Sequence, residues 1–361
     1  MALKLATIFG FLVLSLAFSL TTPSQTTVSA EALLQDVPRL VGTNIYFSEL
    51  NGEASRFDRS DQGISRLAGL LRNLGANLHN LDWRSRFPED ADLVVIAGPL
   101  TDLAPDQTAR LWSYLTSGGR LLLFANPTVE TTRGQGLPMA GGLFQLLWND
   151  MGIRGRNDVV VTEGTNQAEV TEEPSTNSPA QLTANFVTSN LNDNHPITAG
   201  IEDDLTFFIA RSIEYDASLR DVDTTPLVFS DNSFYGEAAY ADYLENGSFE
   251  YNVGTDTSRG PLALVAAFDN PQSGTRVVIV GDREFAINGS GFRTSPAESA
   301  SFLHPGNVRF ALNAVTWLLD VEGVDLSLPT PGPTATPTLI PTPTLAPTAT
   351  PETPPTATPS T

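Results

Sequence analysis

The 361-residue chain contains no cysteine, and lysine and histidine are nearly absent. The lack of cysteine excludes a disulfide framework, a thiolate metal site and a cysteine nucleophile. Lys4 is the single lysine, and the three histidines are His79, His195 and His304. The chemistry open to this chain therefore rests on carboxylates, amides, hydroxyls and arginine.

Positive charge is also scarce. The chain has 20 basic and 41 acidic residues, which gives a formal net charge of −21. Binding to nucleic acid or to an anionic membrane surface requires a positive field, so this composition argues against both partners. Two acidic clusters, at residues 192–194 and 202–204, lack EF-hand spacing, and we interpret them as solvated surface.

The N-terminal segment is typical of a bacterial signal peptide. Lys4 precedes an apolar run at residues 5–20, which is shorter than the ~20 apolar residues that span a bilayer. Val28 and Ala30 stand at positions −3 and −1 of a cleavage site, so residues 1–30 are predicted to be removed. This places the protein outside the cytoplasm, secreted or associated with the cell envelope. The alternative is that the run stays as an N-terminal membrane anchor.

The C-terminal segment, residues 328–361, consists almost entirely of proline, threonine and alanine. Proline removes backbone donors and fixes φ, and the segment has little apolar surface to bury. We expect a disordered, extended tail. Such a tail is also consistent with a stalked surface adhesin.

The body, residues 31–327, has the pattern of an α/β domain. Residues 93–97 and 121–124 are apolar runs typical of parallel strands buried on both faces, and Pro105 opens a helix between them. A helix is predicted at residues 142–151. Two apolar runs within residues 262–280 predict a hairpin, and a helix follows it. Short polar-interrupted strands at 163–260 predict an inserted, irregular β region.

Three motifs stand in a recognisable order: ADLVVIAGP at 91–99 with GGRLL at 118–122, HPIT at 195–198, and RVVIVGD at 276–282. Together they resemble the extracytoplasmic domain of GldG-like, gliding-motility-type auxiliary proteins of ABC transporters. The resemblance implies a mostly parallel, three-layer flavodoxin or class I glutamine-amidotransferase-like sheet. The family pattern carries a histidine where this chain has Asn51.

Candidate ligand-binding residues follow the predicted parallel strands. Ligands bind outside the carboxyl ends of the strands in an open parallel sheet. Glu49 and Asn51 follow the first strand, Asn126 follows residues 121–124, and Asp282 follows the second strand of the hairpin. Glu49 and Asp282 could pair to bind a cation or a sugar hydroxyl. The competing interpretation is that all four residues cap helices and shape turns.

A catalytic constellation is not predicted. An amidotransferase needs a nucleophile directly after a central strand, and that position holds Ala125, Asn126 and Pro127. Ser290 lies between two glycines without the spacing of a nucleophile elbow, and His195 precedes proline, where a turn is expected. No catalytic residue, metal or cofactor is assigned.

The sequence thus predicts a non-enzymatic extracytoplasmic binding or scaffold domain, auxiliary to an ABC transporter or an envelope assembly. A membrane transporter or an envelope protein is the expected partner, and a small molecule or a glycan is a further candidate ligand. One alternative is a hydrolase that acts on carbohydrate or cell wall through the strand-end carboxylates. The other is the stalked adhesin.

Overall fold

A computed structural model describes residues 28–34, 37–127, 136–164, 182–295 and 298–321. The predicted tail, residues 328–361, and residues 165–181 of the predicted insertion lie outside the described residues, as do residues 1–27 of the predicted signal peptide.

The described residues form six α-helices: α1 Ala30–Leu34, α2 Ser65–Asn73, α3 Pro105–Thr116, α4 Gly142–Met151, α5 Tyr240–Asn246 and α6 Pro305–Leu318. They also form these strands: β1 Val28–Ser29, β2 Asn44–Ser48, β3 Asn77–Leu81, β4 Leu93–Ala97, β5 Arg120–Phe124, β6 Ile153–Gly155, β7 Val159–Glu163, β8 Leu182–Thr183, β9 Phe186–Thr188, β10 Leu205–Phe207, β11 Ile213–Tyr215, β12 Asp223–Phe229, β13 Tyr235–Glu237, β14 Ala263–Asn270, β15 Thr275–Val280, β16 Thr294–Ser295 and β17 Glu298–Phe302.

The main sheet has seven strands in the order β12-β14-β15-β5-β4-β2-β3. The five strands from β15 to β3 are parallel neighbours, whereas β14 and β12 add to one side in antiparallel pairing. The predicted hairpin is confirmed as β14 and β15, and α6 follows it as expected. The molecule is therefore a mixed α/β protein built on one large mixed sheet.

The central strands are buried on both faces, as their continuous apolar runs predict. Leu93, Val95 and Ala97 of β4 belong to one hydrophobic cluster with α1, α2 and α6. Val94 and Ile96 point the other way, into a cluster with α3 and α4. Helices thus pack on both faces, and each fully buried aliphatic side chain stabilises the fold by about 1.5–3 kcal/mol.

The region predicted as an insertion contributes strands to more than one sheet of the structure. Its strand β12 pairs antiparallel with β14 and is the outer strand on one side of the main sheet. Strand β13 instead pairs with β7, which pairs with β8, and these elements enclose a third, small hydrophobic cluster around Val159, Val161 and Tyr235. Leu182, Ala184 and Tyr240 of the same region also belong to this cluster.

Candidate functional site

The four candidate residues follow strands of the main sheet, as predicted. They lie at its carboxyl edge, which is the side of the sheet where the parallel strands end. Glu49 and Asn51 follow β2, Asn126 follows β5, and Asp282 follows β15. Strands β5 and β15 are neighbours, but β4 and β5 both lie between β2 and β15. The edge therefore carries two separate groups of polar residues.

Asp282 is fully buried, and its carboxylate binds the protein's own backbone. Oδ2 accepts a hydrogen bond from the amide of Phe208 at 2.7 Å, and Oδ1 accepts one from the amide of Glu284 at 2.7 Å. Burial, with a smaller contribution from the charge of Glu284, raises the pKa of Asp282 to about 7. The side chain joins the segment after β10 to the turn after β15.

Asn126 is used in the same way. Its Oδ1 accepts the amide of Arg283 at 2.8 Å, which links the ends of the neighbouring strands β5 and β15.

The position after β4 is restricted to glycine. The aliphatic part of the Arg283 side chain lies only 2.1 Å from where a Cβ on Gly98 would stand. Gly98 also has φ +65°, a conformation that favours glycine. Any other residue here would both contact Arg283 too closely and adopt a strained backbone.

Arg211 is a central residue of this edge that the sequence interpretation missed. Its side chain is completely buried and donates to the carbonyl oxygens of Arg156 (2.7 Å), Asn126 (2.8 Å) and Leu137 (2.6 Å). The guanidinium also lies 4.8 Å from the centre of the Phe144 ring. Burial lowers the pKa of Arg211 to about 9. One arginine within the apolar stretch 205–213 is the sequence signal that could have revealed it.

The second group is a buried chain of hydrogen bonds at the end of β2. The indole Nε1 of Trp83 donates to Ser48 Oγ at 2.8 Å, and that hydroxyl donates to Glu53 Oε1 at 2.5 Å. Glu53 Oε2 accepts the amide of Asn51 at 2.5 Å, while the Asn51 carbonyl accepts the amide of Leu100 at 2.9 Å. Glu53, which was not predicted, is the buried carboxylate of this group.

Glu49 is only partly buried. Its Oε1 accepts the backbone amide of Arg56 at 2.9 Å, so the carboxylate fixes the loop after β2. The Arg56 guanidinium lies over the ring of Phe57, 4.0 Å from its centre.

Glu49 and Asp282 are not brought together. Their strands stand three positions apart in the sheet, which corresponds to roughly 14 Å at a spacing of about 4.8 Å per strand. Paired carboxylates in glycosidases stand about 5–9.5 Å apart. The sheet order therefore does not support the suggested pairing, because residues on two other strands separate the two carboxyl groups.

His195, His304 and Ser290 each have a polar partner. His195 Nδ1 accepts the amide of Ile197 at 3.2 Å, which is the turn expected before proline. His304 Nδ1 and Thr206 Oγ1 are 3.0 Å apart, and burial lowers the pKa of His304 to about 4. The hydroxyl of Ser290 donates to Glu284 Oε2 at 2.6 Å, so its partner in the structure is a carboxylate.

Two cavities lie beside the ends of the sheet strands. At the carboxyl edge, a cavity of about 30 Å³ is bounded by Pro127, Asp158, Glu237 and Tyr240. That volume suits about one water molecule, whereas ligand sites usually measure several hundred cubic ångströms. A cleft of about 620 Å³ lies at the opposite, amino edge of β4 and β5, beside Phe87 and Tyr114.

The described parts of the chain contain no group of three or more His, Asp or Glu side chains that could hold a metal ion. Within the same residues, no helix has both the length and the apolar character needed to cross a membrane.

A protein-family model described as "ABC-type uncharacterized transport system", whose family is that of ABC transporter auxiliary proteins, matches residues 43–314. None of the curated proteins matches the sequence.

Solved structures similar to this chain are diverse. The N-terminal domain of mmIFT52 is 15% identical, with a TM-score of 0.48, over 79% of this chain and 100% of that one. A β-galactosidase from Rahnella sp. R3 is 10% identical (TM-score 0.39; 78% and 32%). A ThuA-like protein from Bacteroides uniformis is 9% identical (TM-score 0.36; 78% and 92%). Similarity at this level carries no functional information about this chain.

Proposed function

The chain belongs to the family of ABC transporter auxiliary proteins, and we propose that it is a non-enzymatic binding or scaffold protein that serves such a transporter, or an envelope assembly, outside the cytoplasm. The observation that carries the proposal is the family match over residues 43–314. This range includes every strand of the main sheet. The match therefore covers the whole of the main sheet.

The hydrogen bonds at the carboxyl edge support a binding role over a hydrolytic one. The side chains of Asp282, Asn126 and Glu49 each accept a hydrogen bond from a backbone amide, and the Asn51 side chain donates to Glu53 Oε1 at 3.4 Å. A hydrolase needs a carboxylate that meets water or substrate at the reacting bond. A scaffold needs only a rigid framework, and these bonds supply one.

The finer classification is part of the same proposal. We assign the body to the GldG-like group, with a three-layer sheet of the glutamine-amidotransferase type. Five parallel neighbouring strands and helices on both faces support this assignment. The polar residues at the strand ends then serve as structural replacements for a catalytic centre.

The test is cross-linking in intact cells of the native host, with a C-terminal affinity tag on the full-length chain. The control joins the same tag and residues 1–30 and 322–361 to an unrelated domain in place of the body. Enrichment of an ABC transporter membrane subunit or ATPase with the full chain, and not with the control, is the expected result. Recovery of both proteins with the same partners, none of them a transporter or envelope component, would contradict the proposal.

Location is tested separately. Protease added to spheroplasts is expected to digest the full-length chain while a cytoplasmic marker protein stays intact. Protection of the chain until the membrane is lysed would place it inside the cell and remove the extracytoplasmic part of the proposal.

A further inference from the structure

The residues around the predicted cleavage site belong to the folded domain. Val28 and Ser29 form β1, which pairs with β17 in an antiparallel register, Val28 opposite Phe302 and Ser29 opposite Ser301. Strand β17 lies between β1 and β16 in this three-stranded sheet. Loss of residues 1–30 would therefore turn β17 into an edge strand, and Phe302, which is only 3% exposed, would lose one of its two cross-strand neighbours.

Ser29 also begins the first helix. Its Oγ accepts a hydrogen bond from the amide of Ala32 at 3.2 Å, which is the bond that an N-cap serine makes to the third helical residue. The helix in turn places Leu33, 1% exposed, in the same hydrophobic cluster as α2 and α6. The cap and the buried leucine act together, because the cap fixes the start of the helix that positions Leu33.

Cleavage after Ala30 would reverse the electrostatics of this helix start. The serine acceptor would be lost, and a positively charged α-amino group would stand on Glu31, inside the first turn of α1. The N-terminus of a helix already carries a partial positive charge, so an added cation there is unfavourable.

We propose that Val28, Ser29 and Ala30 are retained in the mature protein as its first strand and helix cap, and that the bond between Ala30 and Glu31 is not the processing site. The segment that suggested cleavage is then a short strand, Val28–Ser29, whose serine caps the helix that follows. The inference stands on the contacts of these residues and does not depend on the proposed function.

The direct test uses the full-length chain with a C-terminal tag, expressed in a bacterium that exports it. The purified extracytoplasmic protein is analysed by intact mass and N-terminal sequencing. An N-terminus at Val28 or earlier is expected, and an N-terminus at Glu31 would overturn the proposal.

A variant sharpens this test. Ala30→Glu places a large charged residue at the −1 position, which signal peptidase does not accept, while Glu is favourable in the first turn of a helix. Under the proposal, the variant is processed like the wild type and differs in mass only by the substitution. Accumulation of unprocessed precursor with Ala30→Glu would show that the Ala30–Glu31 bond is the natural site.

A second measurement compares the stability of two chains without leader, one starting at Val28 and one at Glu31. The shorter chain is expected to unfold at a urea midpoint lower by about 0.5 M, because it lacks the cap and the strand. Ser29→Ala in the longer chain, which removes only the cap, should fall between the two. Equal midpoints for the two parent chains would contradict a structural role for residues 28–30.

Discussion

The carboxyl edge and the amino edge of the main sheet, where the parallel strands end and begin, differ in the groups and the open space beside them. At the carboxyl edge, Asp282, Asn126 and Arg211 form buried hydrogen bonds with the backbone, and a cavity of about 30 Å³ lies beside Pro127 and Asp158. At the amino edge, a cleft of about 620 Å³ lies beside Phe87 and Tyr114. Open α/β sheets usually bind their ligands at the carboxyl edge. In the described part of this chain, the polar side chains at that edge bind the backbone, and a large cleft lies at the other edge.

The difference has a physical cause. A backbone that turns back at the carboxyl edge leaves carbonyl and amide groups without sheet partners, and a buried group of this kind must be paired. A bound ligand can satisfy such groups, and so can a buried side chain. Arg211 and Asp282 do so here, one as donor to three carbonyl groups and the other as acceptor of two amides.

The largest effect is expected from Arg211→Ala. The change leaves the buried carbonyls of Arg156, Asn126 and Leu137 without their donor and opens a cavity beside Phe144. The free energy of unfolding should fall by at least about 3 kcal/mol, measured by urea denaturation. Arg59→Ala, at an exposed arginine, is the control and should change it by less than about 0.5 kcal/mol. A loss below about 1 kcal/mol for Arg211→Ala would show that the carboxyl edge does not depend on this residue.

Glu53→Ala comes next. It removes the acceptor of both the Ser48 hydroxyl and the Asn51 amide. We expect a loss of about 2 kcal/mol in the free energy of unfolding. Glu49→Ala is the matched control, because Glu49 is partly exposed and its loss should cost under about 1 kcal/mol. Similar losses for the two variants would argue against a special role of the buried network.

The raised pKa of Asp282 predicts how the stability of the protein changes with pH. Its pKa is raised in the folded protein to about 7 from an ordinary value of 3.8, so between these values the folded state binds more protons than the unfolded state. Its contribution to stability is therefore fully present below about pH 4 and is lost as the pH rises towards about 7. The slope is at most about 1.4 kcal/mol per pH unit.

The measurement is the difference in unfolding free energy between wild type and Asp282→Asn from pH 4 to pH 8. This difference isolates Asp282 from the other carboxyl groups, which include the buried Glu237, whose pKa is also raised by burial. The stability of the wild type relative to the variant should decline over the range. A flat difference would mean that Asp282 has an ordinary pKa in the folded protein.

The smallest effect is expected at the amino-edge cleft. Arg86 lines the cleft and forms an ion pair with Glu89, and both side chains are mostly exposed. Arg86→Ala should change the free energy of unfolding by less than about 0.5 kcal/mol. A loss of unfolding free energy comparable to that of Glu53→Ala would show that the two edges contribute similarly to stability.

The sequence was most informative where burial alone decides the structure. Apolar runs predicted β4 at Leu93–Ala97 with its bounds correct, and Gly142–Met151 was likewise predicted as a helix. These elements are buried on two faces or contain a clear helical period, so their composition is sufficient evidence. The family was also indicated by sequence, through the order of three motifs, and the match to residues 43–314 supports that level.

Sequence was less informative about the elements and side chains whose roles depend on distant partners. Helix α5 and strand β13 lie in a polar region, and β13 is fixed by pairing with β7, more than 70 residues earlier. The positions of Glu49, Asn51, Asn126 and Asp282 at one edge were predicted, but their partners were not. Arg211 and Glu53 were missed because a charged residue in a single sequence gives no direct sign of burial.

The position of β15 has a consequence for the order of folding. This strand lies between β5 and β14 in the middle of the sheet, although it is the last of the seven strands along the chain. Strand β5 is complete at Phe124, yet its second neighbour begins only at Thr275. During synthesis, the apolar strand β5 therefore lacks its neighbour β15 while about 150 further residues are made. Completion of the sheet depends on a long-range contact of the kind that slows folding.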